Sequence, residues 1–76
     1  MTTRIKVPKL GMTMVEATLV AWTVENGAVV TGGDVICTIE ADKAELDVQT
    51  PVGGKLTRLA DVGIVYQVGD FLAEVH

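Results

Sequence analysis

Val35-Ile36-Cys37-Thr38-Ile39-Glu40-Ala41-Asp42-Lys43-Ala44-Glu45-Leu46-Asp47-Val48-Gln49 is the stretch that decides the fold. Before the lysine, Val35, Cys37, Ile39 and Ala41 put an apolar residue at every second position. After it, Ala44, Leu46 and Val48 alternate with Glu45, Asp47 and Gln49. A period of two marks a strand with one buried face. With Asp42-Lys43 as a two-residue turn, Ala41 falls opposite Ala44, Ile39 opposite Leu46 and Cys37 opposite Val48. The other face then pairs Glu40 with Glu45 and Thr38 with Asp47. The hydrophobic pattern thus predicts the register, because a slip of one residue would turn every apolar side chain outward. It leaves one lysine at the tip.

The turn type stays open at this stage. Two-residue hairpins prefer Asn-Gly or Asp-Gly, since both central residues need positive φ. Asp tolerates that conformation and Lys tolerates it poorly, so a type I turn with splayed strands is an equal alternative.

The chain of 76 residues allows one small domain, residues 1–76. Trp22, Tyr66 and Phe71 are its only aromatics, so the core must be built of Val, Leu and Ile, which suits strands. The net charge of −4 comes without a basic patch. That argues against nucleic acid and against an anionic membrane surface as partners. No apolar run approaches the roughly 20 residues of a membrane span. Cys37 stands alone, which rules out an internal disulfide and fits a reducing, cytoplasmic setting. Its place in the alternation makes it a core thiol rather than a reactive one.

The rest of the chain is also cut into short strands. Ile5 and Val7 make a first strand stopped by Pro8. Residues 9–15 read as a loop, 18–24 as a strand, Asn26-Gly27 as a turn and Val29-Val30 as a short strand. Beyond the hairpin, 51–54 is a turn, and 56–59, 64–66 and 71–75 are strands. Seven or eight strands at this spacing predict a small all-β sandwich or barrel. A repeat supports it. At an offset of 36, Gly27 falls on Gly63, Gly33-Asp34 on Gly69-Asp70, Ile36 on Leu72 and Ile39 on Val75. Two such halves predict pseudo-two-fold symmetry, with the chain ends and Lys43 at opposite ends of the domain.

Candidate chemistry is sparse. A catalytic or Schiff-base lysine needs a lowered pKa, from burial or a cationic neighbour. Lys43 has Glu40, Asp42, Glu45 and Asp47 around it at an exposed tip, and both features favour the charged amine. An ordinary solvated hairpin lysine is the plain alternative. Against that, Glu40 facing Glu45 is a slightly destabilising pair, which suggests that something outside the chain reads the acids. His76 is the only histidine and is expected to fray, so no triad or metal set can be assembled. Gly32-Gly33 and Gly53-Gly54 precede no helix and read as turns. Met12 and Met14 read as loop packing.

Several segments together resemble a lipoyl domain, the swinging-arm domain of the acyltransferase components of 2-oxo acid dehydrogenase complexes. They are Val7-Pro8-Lys9-Leu10-Gly11-Met12-Thr13-Met14, Leu19-Val20-Ala21-Trp22, Glu40-Ala41-Asp42-Lys43-Ala44, Pro51-Val52-Gly53-Gly54 and Val68-Gly69-Asp70. The related biotinyl domains usually carry Met-Lys-Met at the tip, and this chain does not. It departs from the family pattern at Ala17, Ala28 and Ala41.

The resemblance implies a flattened barrel of two four-stranded antiparallel sheets. It implies lipoate amide-linked to Lys43, with Glu40, Asp42, Ala44, Leu10 and Gly11 helping partners recognise the site. It implies a carrier with no catalysis of its own, part of an acyltransferase. Its partners would be a lipoate ligase or lipoyl transferase and the decarboxylase, acyltransferase and dihydrolipoamide dehydrogenase of a 2-oxo acid or acetoin complex. A biotinyl carrier of a carboxylase and an unmodified interaction module are the competing readings.

Overall fold

The computed structural model describes residues 2–9 and 11–76. Eight strands follow one another: β1 Thr3–Lys6, β2 Glu16–Trp22, β3 Val29–Val30, β4 Val35–Ala41, β5 Ala44–Gln49, β6 Gly54–Arg58, β7 Val65–Gln67 and β8 Phe71–Val75. They form two four-stranded antiparallel sheets, in the orders β1-β8-β6-β3 and β5-β4-β2-β7. Leu19, Ile36, Ile39, Leu56, Leu72 and Val75 fill the space between them and are wholly buried. Expected and observed strand ends differ by at most two residues. β2 starts at Glu16 rather than Thr18 because Glu16 and Ala17 pair with Gln67 and Tyr66.

Adding four to each strand number turns the first sheet order into the second. The pseudo-two-fold symmetry predicted from the repeat is therefore a property of the whole topology. Its turns match in detail. Gly27 and Gly63 share φ 88°, and Gly33 and Gly69 have φ 95° and 98°. The amide of Thr31 donates to the Asp34 carboxylate at 2.8 Å, and that of Gln67 to the Asp70 carboxylate at 2.9 Å. Val7 and Thr50 are also equivalent: their amides donate to the carbonyls of Asp70 and Asp34 at 2.8 and 2.9 Å.

Three expectations need correction. The alternation placed Ile36 opposite Cys37 in facing, yet both are fully buried. A bulge between Val35 and Cys37 shifts the register there and lets consecutive residues enter the core. Met14 packs inside as expected, but Met12 is 95% exposed on its loop. His76 does not fray: its amide and carbonyl pair with Lys55 at 2.9 and 3.0 Å, and its ring lies 3.0 Å from the Thr2 hydroxyl. Strand pairing holds the last residue because β8 has β1 on one side and β6 on the other.

Candidate functional site

From Cys37 to Val48 the β4–β5 hairpin has the predicted register: Ala41 opposite Ala44, Glu40 opposite Glu45, Ile39 opposite Leu46, Thr38 opposite Asp47 and Cys37 opposite Val48. Ile39 and Val48 anchor it in the core, and Leu46 packs against that core half-buried. The turn question is settled by the backbone. Asp42 has φ 51° and Lys43 φ 65°, so both central residues are left-handed. This is the conformation of a type I′ turn, whose twist matches the flanking strands. Elsewhere among the described residues, every positive φ belongs to a glycine. The tip thus keeps two strained non-glycine residues where Asn-Gly would relax it.

Lys43 is exposed, and no hydrogen bond or ion pair engages its amine among the described residues. Asp42 and Ala44 flank it, both exposed, with Glu40 and Glu45 one step further along the strands. On the outward face of this sheet Thr18 pairs with both Glu40 and Val65, so a row runs Val65, Thr18, Glu40, Glu45. A groove of about 270 Å³ beside the tip is walled by Thr13, Glu16, Thr18, Glu40, Asp42 and Val65, among others. Gly11 is exposed in the loop that ends at Met14, whose amide donates to the Gly11 carbonyl at 3.2 Å. Leu10, the other loop residue expected near the tip, lies outside the described residues.

Glu16, Thr18 and Val65 were not singled out from the sequence. Nothing in the local pattern links β7 to β2, or β2 to β4; those pairings are set by the closure of the sheet. Other sources of chemistry are weak. Burial pushes the Cys37 thiol up to about 12, which leaves it protonated and inert. No cluster of His, Cys, Asp and Glu able to hold a metal occurs among the described residues. What the site can do is offer one accessible primary amine, on a hairpin fixed by the core, to an external acylating enzyme.

Comparison with known proteins agrees with this geometry. A family model described as biotin-requiring enzyme, the biotin/lipoyl model, matches residues 3–75. The dihydrolipoyllysine-residue succinyltransferase component of the 2-oxoglutarate dehydrogenase complex of Bartonella vinsonii is 37% identical over 77 residues, covering 100% of this chain and 19% of that protein. The corresponding acetyltransferase component of the acetoin cleaving system of Cupriavidus necator is 40% identical over 68 residues, covering 90% of this chain and 17% of that protein. The acetyltransferase component of the Zymomonas mobilis pyruvate dehydrogenase complex is 37% identical over 59 residues, 78% of this chain and 13% of that protein. The chain thus spans less than a fifth of the length of these relatives. Among solved structures, the lipoyl domain of the 2-oxoglutarate dehydrogenase complex of Azotobacter vinelandii shares the fold, with a TM-score of 0.76, 23% identity and coverage of 96% of this chain and 94% of that one.

Proposed function

This chain belongs to the biotin/lipoyl attachment family, matched over residues 3–75, and we propose that it is a lipoyl carrier domain whose arm is amide-linked to Nζ of Lys43. The observation that carries the assignment is the tip itself. One unpaired, exposed lysine occupies the outermost point of a hairpin whose register is locked by buried Ile39 and Val48. In forming the linkage, the Lys43 amine attacks an activated lipoyl carboxyl, loses a proton, and the activating group departs. The lipoyl group, once attached, supplies a dithiolane that takes up an acyl group as it is reduced.

The chain's own residues do the presenting. The left-handed turn at Asp42-Lys43 aims the lysine away from the barrel. Asp42 and Ala44 flank the attachment point, Glu40 lies further along β4 and Gly11 is exposed on its own loop; in this reading these residues form the surface that partner enzymes read. The domain contributes no catalysis. Its partners are a lipoate ligase or lipoyl transferase, which loads it, and the decarboxylase, acyltransferase and dihydrolipoamide dehydrogenase of a 2-oxo acid or acetoin dehydrogenase complex. The free, buried Cys37 fits a cytoplasmic location.

Lipoate is favoured over biotin by the relatives, which are acyltransferase components of lipoate-dependent complexes, and by the Asp42-Lys43-Ala44 tip. The intact mass of the chain after expression in a host that makes both cofactors discriminates the two. A lipoyl adduct supports the assignment, and a biotinyl adduct replaces it with a carboxylase carrier.

A further inference from the structure

β1 and β5 are each an outer strand of their sheet, bonded on one side only, to β8 and β4. They flank one open groove of about 470 Å³, lined by Arg4, Ile5, Lys6 and Pro8 on one side and Asp47, Val48, Gln49 and Pro51 on the other. The two sides are equivalent under the pseudo-two-fold relation that pairs Val7 with Thr50, since each residue maps onto the one 43 positions later. The groove therefore lies on the pseudo-symmetry axis, between two unpaired strand edges. Its charges do not follow the symmetry. Arg4 and Lys6 point outward from β1, and Glu45 and Asp47 point outward from β5.

We propose that this groove is the interface between two copies of the chain, joined by antiparallel pairing of β1 of each with β5 of the other. A two-fold axis along the strand direction brings both pairs of edges together at once and extends each four-stranded sheet into eight strands. Parity narrows the register to two, since inward Ile5 must meet an inward residue of β5, Leu46 or Val48, and charge selects the first. Ile5 opposite Leu46 of the second copy places Arg4 opposite its Asp47 and Lys6 opposite its Glu45. Opposite charges at directly paired positions stabilise a sheet, and like charges oppose it.

The alternative closure, β1 on β1 and β5 on β5, sets Arg4 against Lys6 and Glu45 against Asp47. It is disfavoured on charge alone. The other outer strands are poorer candidates, because β3 has two residues and β7 three. Pro8 and Pro51 end both paired segments and keep the ladders short. Two such short strand pairs make a small interface of the weak, transient class. Lys43 stays at the end of the paired region, so the arm of each copy remains accessible.

Sedimentation equilibrium of the 76-residue chain tests this without reference to any cofactor. At low salt the weight-average mass should rise from 8.0 kDa toward twice that value as concentration approaches the millimolar range, and fall back at high salt. Lys6→Glu should hold the chain at the monomer mass, and Glu45→Lys should weaken association alike. The double variant Lys6→Glu/Glu45→Lys should restore it. Concentration-dependent amide shifts should fall on residues 3–6 and 45–49. A mass that stays at 8.0 kDa up to millimolar concentration overturns the proposal. So does association that survives both single charge reversals, or whose shifts fall on β3, β7 or a bound host peptide.

Discussion

Lys43 holds a left-handed backbone although nothing in its side chain favours one. A non-glycine residue in this region costs roughly 1–2 kcal/mol. Lys43→Gly should therefore match or exceed the native stability by about 0.5–1 kcal/mol while abolishing modification. Lys43→Ala, which keeps the strain and loses only an exposed chain, should stay within about 0.5 kcal/mol. Denaturant melts of both proteins check this, and a large loss in either would make the lysine structural. Exchanging Asp42 and Lys43 moves the amine one position along the turn; the domain should fold and fail to accept the arm. Cys37 gives a pH-linked prediction. Its thiol is pushed up to about 12 by burial alone, so the protonated form prevails in the native state well above the ordinary thiol range. At pH 9 a thiol reagent should label the native chain far more slowly than the unfolded one. Equal rates would mean that the thiol is not buried.

The hairpin element separates support from presentation. Ile39 is 1% exposed, and Ile39→Ala should cost about 2–5 kcal/mol, a large share of the stability of a domain of this size. Leu46 opposite it is only half-buried, so Leu46→Ala should cost less than Ile39→Ala. Paired thermal melts decide the order. Glu40→Lys replaces a like-charge pair with Glu45 by an opposite-charge pair and should stabilise the sheet by about 0.2–1 kcal/mol. The sequence made this element legible because alternation fixes facing and facing fixes register. It missed the Val35–Cys37 bulge, since Ile36 and Cys37 are both apolar and their pattern is silent on which strand carries an extra residue. It left the turn open because the residue preferences of a type I′ turn conflict with the need for a lysine. The groove walls at Glu16 and Val65 stayed hidden for a different reason: they come together only when β7 closes onto β2.

At the scale of the molecule, two half-chains share one core. The repeat was visible at an offset of 36 for β3–β4 against β7–β8, where glycine and aspartate turns recur. The relation of β1 to β5 runs at an offset of 43 and keeps Pro8 over Pro51 as its only identity in the segment 4–8, so it was not visible. The ends of the chain meet as a hairpin would, with Thr3 opposite Val75. A circular permutant that joins them through a short linker should therefore fold. Gly54 shows how close the two ends of this sheet pack. It sits at φ 150°, and an added Cβ would collide with the backbone carbonyl of His76. Gly54→Ala should disturb the Lys55–His76 pairing and lower stability well beyond the usual cost of a surface change, by about 2–4 kcal/mol.

Peptide mapping of the chain after co-expression with a lipoate ligase tests the central claim most directly. The presentation of Lys43 predicts one lipoyl adduct, on the peptide that carries Asp42-Lys43-Ala44, with Lys6, Lys9 and Lys55 unmodified. An adduct on any of those three lysines, or a chain left unmodified by a ligase that loads a known lipoyl domain in the same host, would contradict it.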